Sequence, residues 1–348
     1  MLNQNFTFLH KSRKTSRSIV LVFLYKFNKS QLYIFLFFLQ LLLWKGKEAL
    51  GQSRNSFIPY TSTGAGFGTT NYYGDLAPLN DFISSTSNSL RWGIGIDATR
   101  YISKNVGISL ELAWIRLGAD DFNSTNLETF ARNLHFRNDV KEISIAGKYF
   151  PTSLKGNFTK RDKIIPNISL GIGYFLHNPV AKVPSDVGSN WVDLQPLNTE
   201  GQGLNVLYGS PYKLSGFCIP VGVGARFKYN REIDISLDVS YRFTFTDYLD
   251  DVGGIYPNTL FFKDNLAKSL SRRVDEITDG RTGNNREQKL LKLLNNNGIT
   301  TTLPFDEIAT LGATGSDRGS VKGNDSYLTV FIKIRYLIPD GIKCPKIK

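Results

Sequence analysis

This chain is poor in the residues that carry most enzyme chemistry. Its two cysteines, Cys218 and Cys344, are too few for a disulfide framework and read as free thiols. Its three histidines are His10, His135 and His177. No phosphate-binding glycine loop, calcium-loop spacing or nucleophile motif occurs. No apolar helix follows the first fifty residues, so a chain exported across an inner membrane would not be stopped there.

The N-terminal segment has the order of a secretory signal. Lys11, Arg13, Lys14, Arg17, Lys26 and Lys29 precede the apolar run Leu32–Trp44, and small residues follow at Ala49-Leu50-Gly51. The apolar core is short for a membrane span of about 20 residues, so residues 1–51 read as a signal peptide cleaved before Gln52. The leader is unusually long, and a start downstream of Met1 would shorten it. The charge argument changes with its removal. The whole chain carries 42 basic and 30 acidic residues, net +12. Taking away eight Lys/Arg and Glu48 leaves 34 against 29, or +5. A binding surface for nucleic acid needs more positive charge than that, and none is expected.

What the remainder has in quantity is alternation. In Glu232–Thr246, Ile233, Ile235, Leu237, Val239, Tyr241, Phe243 and Phe245 leave one face of an extended chain. Asp234, Ser236, Asp238, Ser240, Arg242 and Thr244 leave the other. The run exceeds the usual length of a soluble strand and suits the 9–11 residues that cross a bilayer. Eight segments fit this template: Ala65–Tyr73, Arg91–Ile102, Val106–Leu117, Phe136–Phe150, Ile165–Phe175, Leu214–Tyr229, Glu232–Thr246 and Ser326–Ile338. Ser103-Lys104-Asn105 and Asn230-Arg231 are tight turns, and 151–164 is a middle-length basic link. The connections 74–90, 118–135, 176–213 and 247–325 are long.

Short periplasmic turns alternating with long outer loops predict an all-β fold: an eight-stranded antiparallel transmembrane barrel of the outer membrane, over residues 52–348, with lipid as its surroundings. A short basic tail, 339–348, follows the last strand. Inside so narrow a barrel, Glu111, Arg226, Asp234, Asp238, Arg242, Lys333 and Arg335 must pair as a charge network, because lone buried charges are costly. That predicts a plugged lumen. In the last loop, Leu266–Ile277 and Arg286–Asn295 suit short amphipathic helices within a mobile surface segment.

Candidate chemistry is sparse. His135 and His177 fall at strand ends; they suit either a metal or acid–base pair or plain loop boundaries. Asp247, Asp250 and Asp251 supply carboxylates for Ca²⁺ or for anchoring a loop, and their spacing favours the anchor. An outer-membrane enzyme acting on lipid or peptide, and a narrow channel or adhesin-like barrel, are the competing readings.

Specific words then point to a family. They are Asn71-Tyr72-Tyr73-Gly74-Asp75-Leu76, Phe136-Arg137-Asn138, His177-Asn178-Pro179, the run LQPLNTEGQG from Leu194 to Gly203, and FTDYLDDV from Phe245 to Val252. Arg318-Gly319 and Asn324-Asp325-Ser326-Tyr327 complete the set. Together these resemble the PorG-like outer-membrane barrels associated with the type IX secretion system and gliding motility. The resemblance implies a barrel with no catalytic residue, no cofactor and no metal. It also implies a role in tying the periplasmic ring of that machine, a lipoprotein and its partner, to the outer membrane. The shared positions are Tyr73, Gly74, Asp75, Gln195, Pro196, Glu200, Gly201, Asp247, Tyr248, Asp250 and Asp251, expected to shape loops: Gly74 and Gly201 by turn freedom, the acids by accepting backbone N–H groups. Arg281–Asn297 looks like extra length beside the family pattern. For docking from below, the candidates are Lys104, Lys155, Lys160, Arg161, Lys163, Arg231 and the tail from Lys343.

Overall fold

A computed structural model of the chain describes residues 57–77, 86–152, 154, 161–319 and 323–339. The expected signal peptide, Lys155, Lys160, Cys344 and the tail from Lys343 lie outside the described residues. The strands are β1 (Tyr60–Tyr73), β2 (Arg91–Tyr101), β3 (Val106–Asp120), β4 (His135–Tyr149), β5 (Ile164–Leu176), the short β6 (Pro179–Lys182) and β7 (Trp191–Asp193), then β8 (Ser215–Lys228), β9 (Ile233–Thr244) and β10 (Ser326–Pro339). All pairings are antiparallel. The order β3-β2-β1-β10-β9-β8-β5-β4 closes on itself through β3 and β4. The result is the expected eight-stranded barrel, with β6 and β7 as a hairpin extending the wall beside β4. Closure removes every edge from the barrel.

The period-2 pattern decides which face each residue takes. Phe67, Ile96, Ile108, Ile145, Leu170, Val223, Phe243 and Ile334, one from each barrel strand, are exposed on the outer wall. Asp97, Asp234, Ser236, Arg242, Lys333 and Arg335 are buried inside. The turns are built as expected at one end. Ile102 and Ser103 both donate their N–H to Val106 O (3.0 and 3.1 Å). Asn230 Oδ1 accepts from the N–H of Glu232 and Ile233 (2.8 Å each), an Asx turn.

β1 begins at Tyr60, five residues before the alternation becomes visible. Its first half, Tyr-Thr-Ser-Thr-Gly, has no bulk on its outer face, while Tyr60 and Ser62 are buried inside.

At the other end the long connections fold over the barrel. The loop after β3 makes a 3₁₀ turn (Asp121–Asn123) and α1 (Leu127–Arg132). The last loop makes α2 (Asn265–Ser271), α3 (Glu287–Asn296) and α4 (Pro304–Ile308). Leu290, Leu293 and Leu294 of α3 are buried against Phe130 and Ala131 of α1, with Val274 and Ile308. Arg286 donates to the carbonyls of Phe130 and Ala131 (2.9 and 2.8 Å), satisfying buried carbonyls at the C-terminal end of α1. The expectation of a mobile segment is therefore corrected: these helices form a second small core. The Arg281–Asn297 stretch supplies its three leucines.

Candidate functional site

The lumen is filled in three layers. Near the long-loop end lie Ile115, Leu117, Phe136, Val140, Phe175, Cys218, Tyr327 and Phe331, all buried. At the short-turn end lie Tyr60, Tyr101, Phe150, Leu154, Ile165 and Leu337. Between them run the charges. Arg242 pairs with Glu142 (3.2 Å) and Glu111 (3.1 Å). Lys333 pairs with Glu111 and with Asp97 (3.3 Å). Arg335 bridges Asp97 (2.5 Å) and Asp238 (2.9 Å). Below, Arg226 lies 3.7 Å from Asp234 and donates to Tyr60 Oη (3.2 Å). All seven expected lumen charges are therefore inside. The pattern missed Asp97 and Glu142, because neither sits in a run of clear alternating charge. The void among these groups is about 40 Å³, lined by Ser109, Glu111, Lys148 and Lys333 among others. That is room for a water or two.

Arg161 needs correction. The sequence places it among the basic residues for docking a partner from below. It is instead 4% exposed and donates to Asp234 (2.6 Å) and to the carbonyls of Asn230 and Arg231 (2.8 Å each). It closes the lumen and offers nothing to a partner. Lys104, Lys163 and Arg231 do face solvent.

The shared words converge in one place, although they come from four connections. Glu200 Oε1 accepts from the N–H of Gly253 (3.1 Å) and Gly254 (3.2 Å), and from Arg318 (3.1 Å). Arg318 also donates to Asp251 O (2.6 Å) and Ser271 O (3.1 Å). Asp251 accepts from Thr199 (2.5 Å) and from Tyr212 (2.6 Å), whose ring stacks on Tyr248. Gln195 donates to Tyr212 O (3.1 Å), and Pro196 sits in the 3₁₀ turn Gln195–Leu197. Asn138 donates to Leu249 O (2.6 Å), and Leu249 N–H to Asp325 (2.7 Å). Tyr73 shares a hydroxyl contact with Thr86 (2.8 Å), and Asp75 O accepts from Arg132 (3.0 Å). Burial pushes the Asp251 carboxyl up to about 6 against the pull of Arg318. Burial, with Asp75 and Glu200 nearby, pushes Asp247 up to about 8.

The two glycines differ. Gly201 has φ +79°, the left-handed freedom expected of it. Gly74 has no positive φ; a Cβ there would collide with Asp325 Oδ1 and the Tyr72 hydroxyl. It is needed for room.

The histidines are separate braces. His135 Nε2 accepts from Lys182 N–H (2.9 Å). His177 Nε2 donates to Lys213 O (3.1 Å) and Nδ1 receives Asn138 Nδ2 (3.3 Å), while burial holds the ring down at about 4. Among the described residues no group of three His, Cys, Asp or Glu is placed to hold a metal ion.

No family model matches the chain, and no curated protein matches it. Similar solved structures are the attachment invasion locus protein Ail of Yersinia pestis (9% identity, TM-score 0.31, covering 81% of this chain and 100% of that one); the outer membrane protein OprG of Pseudomonas aeruginosa (10%, 0.31, 83% and 100%); and a major outer membrane protein of Thermus thermophilus (10%, 0.34, 80% and 99%). Likeness this distant carries no argument about activity.

Proposed function

We propose that this protein is a non-catalytic outer-membrane barrel that anchors the periplasmic ring of a type IX secretion machine. The membrane half of the reading rests on the outer wall. Eight strands each present large apolar side chains to the surroundings, a closed band that water does not tolerate at this size and a bilayer core does. The strand ends support the sides: tight turns toward the periplasm, the packed loop cap toward the exterior. No helix among the described residues is long and apolar enough to span, and a barrel needs none.

The secretion half rests on resemblance. The words LQPLNTEGQG and FTDYLDD are long, and in this fold they grip each other through Glu200, Asp251 and Arg318. Shared words that lock one another support a shared cap architecture. Glu200 and Asp251 are engaged by backbone N–H groups, hydroxyls and Arg318, which supports an architectural role for these two over catalysis. The filled lumen disfavours a channel. Docking of the ring falls to the exposed periplasmic cations Lys104, Lys163 and Arg231.

Deletion of the protein tests the role: secreted cargo should accumulate in the periplasm. Normal secretion in the deletion strain would reject it. Exchange of Lys104, Lys163 and Arg231 for Glu should lower recovery of the ring lipoprotein while the barrel keeps its heat-modifiable gel shift.

A further inference from the structure

The outer wall carries a second built feature just beyond the apolar band, on β4 and the β6–β7 hairpin. Directly paired residues on neighbouring strands point the same way. Trp114 pairs with Lys141, Arg116 with Asp139 and Gly118 with Arg137. Arg137 pairs with Val180, and Lys182 with Trp191. Arg137, Lys182 and Trp191 therefore share the outward face of Ile143 and Ile145.

Cations dominate this face. The Arg137 guanidinium lies 4.3 Å over the Trp191 ring, and Lys182 Nζ lies 6.0 Å from it. Neither forms an ion pair among the described residues. The two carboxylates of the face are already engaged: Asp139 by the Arg116 fork (2.6 and 2.8 Å), Asp193 by Asn178 (2.8 Å). Donors are left over as well. Arg137 Nε is buried without a hydrogen-bond partner. His135 packs edge-on against Trp191 (5.8 Å) and is 3% exposed. Its Nε2 accepts from Lys182 N–H, so the ring hydrogen is on Nδ1, which has no partner either. Three donor groups around one indole lack an acceptor.

The height of this cluster selects its ligand. Trp92 and Trp114 meet edge to face (5.5 Å) where the apolar band ends, an interfacial position for tryptophan. Arg137 stands four residues beyond the Trp114–Lys141 level, about 13 Å along the strand and about 10 Å along a barrel axis tilted by roughly 40°. The headgroup layer adds about 5–7 Å beyond the hydrocarbon on each side, which brings phosphates within a side chain's length of Arg137, and acyl chains stop short of it. We propose that this face binds the phosphates of an outer-leaflet glycolipid whose acyl chains lie against Ile143 and Ile145. A guanidinium suits phosphate through paired N–H donors. Tethering by the chains gives the headgroup an effective concentration that a free anion lacks.

The proposal rests on the outer-membrane reading, and its test separates the two. The full chain in detergent is titrated with a bis-phosphorylated glycolipid of the lipid A type, and with its dephosphorylated form, by native mass spectrometry. Retention of the phosphorylated lipid should be at least tenfold stronger. The double variant Arg137→Gln/Lys182→Gln should fall to the dephosphorylated level, and Lys104→Gln, at the opposite end, should not. Equal retention of the two lipids by the unaltered protein would overturn the proposal whether or not the variant folds. So would displacement of the lipid by millimolar inorganic phosphate. Membrane fractionation of cells tests the location by itself: a barrel found in the outer membrane that ignores the phosphates rejects only the lipid site.

Discussion

Tyr72 on the barrel wall and Asp250 in the loop cap, 178 residues apart, meet at 2.6 Å between hydroxyl and Oδ2. The same hydroxyl lies 2.7 Å from Asp325 Oδ1. A phenol has one hydrogen and cannot donate to two carboxylates. One carboxyl of the pair therefore keeps its own proton, and the chain runs from that acid through Tyr72 to the other. Burial, reinforced by the neighbouring acids, holds both Asp250 and Asp325 well above the ordinary carboxylate range.

That arrangement fixes a pH dependence. In the opened cap both carboxyls ionise near 4. In the closed cap at least one stays protonated to higher pH, so the closed state binds more protons across that window. Its stability is full below about 4 and falls as pH rises toward the raised values. Hydrogen exchange of residues 247–319 should show protection declining from pH 5 to pH 9. Asp250→Asn replaces the shared proton with an amide hydrogen: Oδ1 still accepts from Val252 N–H, and Nδ2 donates to Tyr72. This variant should flatten the profile and protect the cap more than the parent at pH 9. An unchanged slope would remove the shared proton from the account.

Glu200 joins the middle outer loop to the last one. Glu200→Ala leaves two backbone N–H groups without their acceptor and takes a carboxylate from the buried Arg318, which keeps the carbonyls of Asp251 and Ser271. The expected loss is about 2–5 kcal/mol of cap stability. Limited proteolysis should cut between 253 and 319 much faster, while the barrel stays heat-modifiable.

Arg242 is the hub of the lumen, bound to Glu142 and Glu111. Arg242→Ala leaves Glu142 in a closed interior with no cation, only the Tyr327 hydroxyl, while Glu111 keeps Lys333. Urea unfolding in lipid should show a loss of about 3–5 kcal/mol. Arg242→Lys keeps the charge without the fork and should fall between. The parent protein in a planar bilayer should give no stable conductance steps.

Cys218 is fully buried beneath Tyr327, with Sγ 4.0 Å from its hydroxyl. In a Cys344→Ser background, maleimide should leave the folded barrel unlabelled and react once urea unfolds it.

How much of this was legible in the sequence follows from physical range. Alternation is local, so Ile235 against Asp234, or Ile334 against Arg335, gave the faces and the eight strands directly. The tight turns were equally local. The start of β1 was not, because Thr61 and Thr63 carry no lipid-facing bulk. Arg161 looked like one more basic link residue; only closure of the barrel brings it to Asp234, 73 positions on. The cap helices showed their leucines, but nothing nearby said that α3 would meet α1. Glu200 and Asp251 stood out as words without a partner in view; the fold supplies Arg318 and makes them one knot.

The central claim is the anchoring of a periplasmic ring. The most direct measurement is a gentle detergent pull-down of the tagged barrel from its native outer membrane, with quantitative mass spectrometry of what accompanies it. The account predicts the ring lipoprotein and its partner in near-stoichiometric amounts, reduced when Lys104, Lys163 and Arg231 are exchanged for Glu. Recovery of a folded, heat-modifiable barrel alone would contradict it.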